Sequence, residues 1–196
     1  MLDAVESHYR SLLDRHGENL GETCLTWCRA GSSHELAGLL GGDLRSAAPR
    51  TLSDADAESH QHIMQTGRGN TLLVGDLGSW FIVMEPGDLR ASKSLDHLSI
   101  NGEALSLVIG DTLLHYSLIY ACKGRVLCRL RYLDDPAGDI GALEGNLADL
   151  PYLRGKSSNE WKVHALVLIE RITGVRLTAE WLSREHSRYF CNHLGS

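Results

Sequence analysis

Four sets of side chains in this sequence have types and spacings suited to chemistry or binding. The first is Glu58-x-His60-x-His62. On an extended strand, alternation places all three on one face, roughly 6.5 to 7 Å apart stepwise. Two imidazoles and a carboxylate suit zinc or ferrous iron. The plainer reading is a histidine-rich polar loop. The second set is Cys24 and Cys28, one turn apart on a helix. They would supply two thiolates to a metal, with Cys191 and His193 to close the shell. The plainer reading makes them small core residues beside Leu20 and Trp27. The third set is Glu85, His115 and Tyr116. Glu85 ends an apolar strand, where a carboxyl of raised pKa serves as general acid or base, provided a pocket brings His115 or Tyr116 near. The plainer role for such a carboxylate is to cap a neighbouring turn.

The fourth set lies on the hairpin 112–132. If Lys123-Gly124 is its two-residue turn, Tyr120 faces Leu127, Leu118 faces Arg129 and Tyr116 faces Arg131. Arg125, Arg129 and Arg131 then share an outer face with Tyr116 and Tyr120, while Ile119, Val126, Cys128 and Leu130 turn to the core. Guanidinium planes stack on such rings, and their fork suits carboxylate or phosphate. This face is the expected site for an acidic protein partner or a small anionic ligand. The competing reading is a solvated face whose arginine stems cover the rings. A one-residue change of register exchanges the two faces.

The elements that must position these residues fall into three stretches. The first is helical: 3–15, with Val5, Tyr9, Leu12 and Leu13 at helical spacing, then 21–30, stopped by Gly31. Ser32-x-x-Glu35 is a capping box that opens a short helix carrying Leu36, Leu39 and Leu40. Residues 43–69 are polar and read as loop, with a strand near 58–65. The middle is β, with strands expected at 71–74, 80–85, 104–109, 112–121 and 125–132. Ser92 and Ser94 suit a short helix between the second and third of these. In the last stretch a helical turn is expected within 138–150. Ser157-x-x-Glu160 opens a helix over 161–172, Gly174 fits its C-terminal cap, and Thr178 caps a final helix. The fold class is thus α+β: an antiparallel sheet of about five strands packed by N- and C-terminal helices, in a single domain over 1–196.

Composition restricts the function. The 196 residues are 43% hydrophobic and 22% charged, as in globular proteins, and the formal net charge is −6. That charge argues against nucleic acid and anionic membranes as partners. The longest apolar run, 80–84, is five residues, too short to span a membrane. No secretory leader opens the chain, and five cysteines cannot all pair, so reduced thiols and a cytoplasmic location are expected. No nucleotide-binding glycine loop, G-x-S-x-G, H-E-x-x-H or C-x-x-C is present, and no cofactor is implied.

Several motifs together resemble a known family. They are Leu25-Thr26-Trp27, the segment Ser32 to Gly41, Gly78-x-Trp80 leading to Val83-Met84-Glu85-Pro86, Arg90-x-Ser92, and Thr173-Gly174-Val175-Arg176-Leu177-Thr178-x-Glu180-Trp181-Leu182. The pattern is similar to a family of small actinobacterial (Streptomyces-type) proteins classed as a domain of unknown function. It spans about residues 23 to 182. The resemblance implies a shared fold and a bacterial origin, and no reaction. The family's Glu-Pro turn continues Asn-Gly-Trp, whereas this chain has Gly87-Asp88-Leu89. From sequence, the expected function is a non-catalytic, partner-binding protein of adaptor or immunity type. The alternative is a small lyase, cyclase or hydrolase of a biosynthetic cluster, and a further alternative is a metal-binding regulator using Glu58, His60 and His62.

Overall fold

The computed structural model describes residues 2–66, 70–133, 135–150 and 157–191. Among these, nine strands form one antiparallel sheet: β1 (Glu22–Cys28), β2 (Ala48–Arg50), β3 (Asn70–Leu77), β4 (Trp80–Pro86), β5 (Glu103–Gly110), β6 (His115–Cys122), β7 (Arg125–Arg131), β8 (Ala137–Gly138) and β9 (His186–Cys191). Their order across the sheet is β2-β9-β3-β4-β1-β5-β6-β7-β8. The α+β class is as expected, and the sheet is larger than about five strands. The expected strands are β3 to β7; β1, β2, β8 and β9 extend the sheet.

The helices are α1 (Leu2–Leu20), α2 (Ser33–Leu39), α3 (Leu52–Thr66), α4 (Arg90–Lys93), α5 (Leu95–Leu98), α6 (Glu144–Leu147), α7 (Ser158–Thr173) and α8 (Ala179–Ser183). Their ends follow local chemistry. The Ser32 hydroxyl accepts from the Glu35 N–H at 3.1 Å, and the Glu35 carboxylate reaches back to the Gly31 N–H at 2.8 Å. Ser157 caps α7 through the Glu160 N–H, and Gly174 ends it at φ +70°, a left-handed conformation that favours glycine. Thr178 caps α8 through the Trp181 N–H.

Two expectations fail here. Residues 21–30 form the strand β1, not a helix. Helical spacing of Leu20, Cys24, Trp27 and Cys28 misleads because β1 lies between β4 and β5, and its residues 23–28 are all buried. Residues 52–66 form the helix α3, not loop and strand. Its apolar contribution is thin: Leu52 and Ala55 reach the core, and Ser59 is the other buried position.

Each face of the sheet has its own core. The first face carries Leu25, Trp27, Leu73, Ile82, Met84, Leu105, Leu107, Tyr116, Leu118 and Tyr120, roofed by α1, α7, α8 and the start of α3. Helix α7 lies between α1 and the sheet, so its residues 161–169 are buried all round rather than along one stripe. The second face carries Leu72, Val74, Val83, Ala104, Ile119 and Ala121 under α2, α4 and α5. Both edge strands are short, and β2 contains Pro49, which limits strand addition.

Candidate functional site

The four sets of candidate residues fare differently. In the helix α3, Glu58, His60 and His62 leave the single face that a strand would give them. Glu58 pairs with Arg188 at 2.8 Å and with Arg50, His60 pairs with Asp56 at 3.5 Å, and His62 stacks on Phe190. The proposed metal triad is not assembled. Cys24 and Cys28 still share a face of β1, but four residues of strand separate them by roughly 13 Å. Burial pushes both thiols up to about 12. The Cys24 Sγ sits 3.2 Å from the Ser106 Oγ inside the second core. Cys191 is buried in that core too, and His193 lies outside the described residues. All five thiols are free. Among the described residues, no group of three or more His, Cys, Asp and Glu is arranged to hold a metal.

The hairpin explains why the arginine–tyrosine face does not form. The two-residue turn holds, with Cys122 opposite Arg125 and Ala121 opposite Val126. A β-bulge then inserts Leu127, and Tyr120 faces Cys128. Beyond it, Ile119 faces Arg129 and Ser117 faces Arg131. Tyr116 and Tyr120 therefore point into the first core with Cys128 and Leu130, and Arg129 and Arg131 occupy the opposite face. Arg125, opposite Cys122, remains on the tyrosine side at the exposed strand end. The Tyr116 hydroxyl donates to Asp111 at 2.7 Å, and burial pushes its pKa up to about 12. The Tyr120 hydroxyl donates to Glu103, and burial raises its pKa as well.

Glu85 is fully buried on the second face. Its two oxygens accept from the backbone N–H groups of Arg90, at 3.0 Å, and Ala91, at 2.9 Å. It is a cap for the chain entering α4, the plainer of its two expected roles. Burial pushes its pKa up to about 8, against the two N–H donors that favour the anion. His115 is exposed at the start of β6. Glu85, His115 and Tyr116 thus lie in three different settings and make no acid–base constellation.

A hollow of about 410 Å³ lies between β2 and α3. A separate, two-sided concave surface lies at one end of the sheet, where β1 begins, β4 ends and β5 turns into β6. A cavity of about 560 Å³ opens there on the first face, walled by Glu18, Glu22, Asp56, Ser59, Ile63 and Thr112. A second of about 200 Å³ opens on the other face, walled by Cys24, Asp88, Leu89, Val108, Leu113 and His115. Glu22, Thr23 and Gly87 border both. They form a seam, closed by the Gly87 N–H donating to the Glu22 carbonyl at 2.9 Å. No family model, no curated protein and no solved structure matches this chain.

The walls of this cleft are held firmly. Asp111 N–H donates to the Gly21 carbonyl at 2.8 Å, and Thr112 N–H donates to the Glu22 carboxylate at 2.6 Å. The Lys162 ammonium, on the buried helix α7, meets the Asp111 carboxylate at 3.0 Å, beside the Tyr116 hydroxyl on the same oxygen. Lys162 thereby neutralises Asp111 and leaves Glu18, Glu22 and Asp56 as the exposed carboxylates of the larger cavity. The rim is apolar. Leu113 is 84% exposed and Met64, next to Ile63 on α3, is 87% exposed. Ile63 and Leu114 are also exposed. Among the described residues, no helix is long and apolar enough to cross a membrane.

Sequence reasoning missed this cleft because its walls come from distant segments. The signal available was Leu113-Leu114 in a turn, since an apolar pair at a hairpin tip has no core to enter.

Proposed function

We propose that this protein is a non-catalytic, partner-binding domain, of adaptor or immunity type, that grips a cationic and partly apolar segment of a protein partner in the cleft at the end of its sheet. The carrying observation is the rim itself: exposed Ile63, Met64, Leu113 and Leu114 around Glu18 and Glu22, carboxylates that pair with no cation among the described residues. Apolar side chains of a partner gain about 25 cal/mol per Å² on leaving water. The carboxylates select which segment docks and speed its encounter. The pinned turn at Asp111 suits binding, because a preformed site orders little on association.

Kinship with the actinobacterial family is part of this proposal. The residues that carry the resemblance do structural work: Trp27 is buried in the first core, the Trp80 indole donates to the Thr173 carbonyl, Trp181 donates to the Asp76 carbonyl, and Glu85 caps α4. The departure at Gly87-Asp88-Leu89 falls on the cleft, where partner choice would be set.

A labelled peptide of lysines flanked by leucines tests the reading by fluorescence anisotropy. Wild type is expected to bind it. Glu22→Lys with Asp56→Lys should weaken binding by about tenfold, from loss of attraction and added repulsion. Equal binding by both proteins, or preference for the glutamate version of the peptide at the cleft, would remove the proposal.

A further inference from the structure

The two cavities at the end of the sheet differ in chemistry and meet at a residue without a side chain. The first holds the exposed carboxylates Glu18 and Asp56, with Glu22 at the seam. The second is lined by carbon surface from Leu89, Val108 and Leu113. Its own acid, Asp88, is already engaged: the Asn70 amide and the Leu89 N–H donate to it, and the Arg90 guanidinium lies at 3.7 Å. Gly87 borders both cavities, is exposed and has φ +67°. A side chain there would meet no atom within 4 Å, so the passage over Gly87 is open. The backbone beneath the passage is fixed, because the Gly87 N–H donates to the Glu22 carbonyl at 2.9 Å. The Glu22 carboxylate is fixed as well. One oxygen accepts from the Thr112 N–H, and the other lies 3.8 Å from the place a side chain on Gly110 would fill.

We propose, resting on the cleft as the docking site, that one extended segment of the partner crosses the seam at Gly87. It places a basic side chain in the first cavity and an apolar side chain in the second, and Gly87 sets which segments can cross. Charge complementarity places the basic side chain, since Glu18 and Glu22 pair with no cation among the described residues. The apolar side chain belongs in the second cavity, where Val108 and Leu113 offer it carbon surface and Asp88 already has its partners. The spacing follows from the thickness of a sheet. Two side-chain layers together span about 10 Å, and an extended chain rises about 3.3 Å per residue, so the two anchors stand about three positions apart. The requirement for glycine at 87 is steric. Any side chain there stands in the crossing, and a left-handed φ is one that asparagine tolerates and most other residues do not.

Two labelled peptides, Lys-Lys-Ser-Gly-Leu-Leu and Lys-Lys-Ser-Gly-Ser-Ser, probe the crossing by fluorescence anisotropy. Wild type should bind the leucine peptide about tenfold more tightly than the serine peptide. Gly87→Asn, which keeps the backbone conformation and fills the passage, should bring the leucine peptide down to the affinity of the serine peptide. Leu113→Ser, at an exposed side chain, should do the same and keeps the test in force if the seam variant unfolds. Near-ultraviolet circular dichroism reports whether each variant is folded. Glu22→Lys with Asp56→Lys should weaken both peptides. Equal binding of the two peptides by wild type overturns the crossing. So does an undiminished leucine advantage in folded Gly87→Asn. In either case a dependence of both peptides on Glu22 and Asp56 leaves the cleft as the docking site. Binding of neither peptide, or binding indifferent to Glu22 and Asp56, overturns the cleft itself and the crossing with it.

Discussion

A carboxyl such as Glu85, with no solvent exposure, invites a catalytic reading, and its surroundings refuse it. Both oxygens are occupied by backbone N–H groups of the chain entering α4. Its chemistry appears instead in stability. Its folded pKa, about 8, stands above the ordinary carboxylate value, so the folded protein holds this proton more tightly than the unfolded chain. The resulting contribution is fully present below about pH 4.5 and is lost as pH rises through about 8. Glu85→Gln removes that titration. Wild-type stability should fall relative to the variant by an amount on the order of a few kcal/mol between pH 5 and 8. Thermal unfolding across that range checks it. Parallel curves for the two proteins would mean that Glu85 stays ionised in the fold.

At the scale of elements, the bulge at Leu127 governs both faces of β7. Ala121 and Val126 are paired by the turn alone, and the extra residue resets every pair beyond them. Deleting Leu127 should regularise the strand while keeping Tyr120 opposite Cys128 and both faces in place. The expected loss is about 1–3 kcal/mol, from the partly buried leucine. Cross-strand nuclear Overhauser contacts between the residues facing each other would show it; a shifted register would contradict it. The same bulge marks where the sequence ceases to be readable. Apolar, β-branched and aromatic runs bounded by glycine-rich turns reveal β3 to β7, and Ser32, Ser157, Gly174 and Thr178 announce helix ends through local hydrogen bonds. Local pattern says nothing about one inserted residue, so the expected arginine–tyrosine face has the wrong register beyond Ala121. Strand β1 carries no alternation because both its sides are buried, and a helix as polar as α3 shows too short an apolar stripe. Of the candidate residues, Cys24, His60 and His115 border the cleft, whereas Glu58 and His62 support the packing of β9 on α3.

For the molecule as a whole, the proposed docking cleft uses what the core leaves over. Helices cover both faces of the sheet, and Ile63, Met64, Leu113 and Leu114 stay exposed around the cleft at its end. The formal net charge of −6 is spread unevenly, with Glu18, Glu22 and Asp56 gathered at the cleft. The central claim is that the cleft is the cationic docking site. Hydrogen–deuterium exchange with and without the lysine–leucine peptide tests it most directly. The account predicts slowed exchange confined to residues 59–63, 86–89 and 110–115. Protection on β7 instead, or none at a peptide concentration that saturates the anisotropy signal, would contradict it.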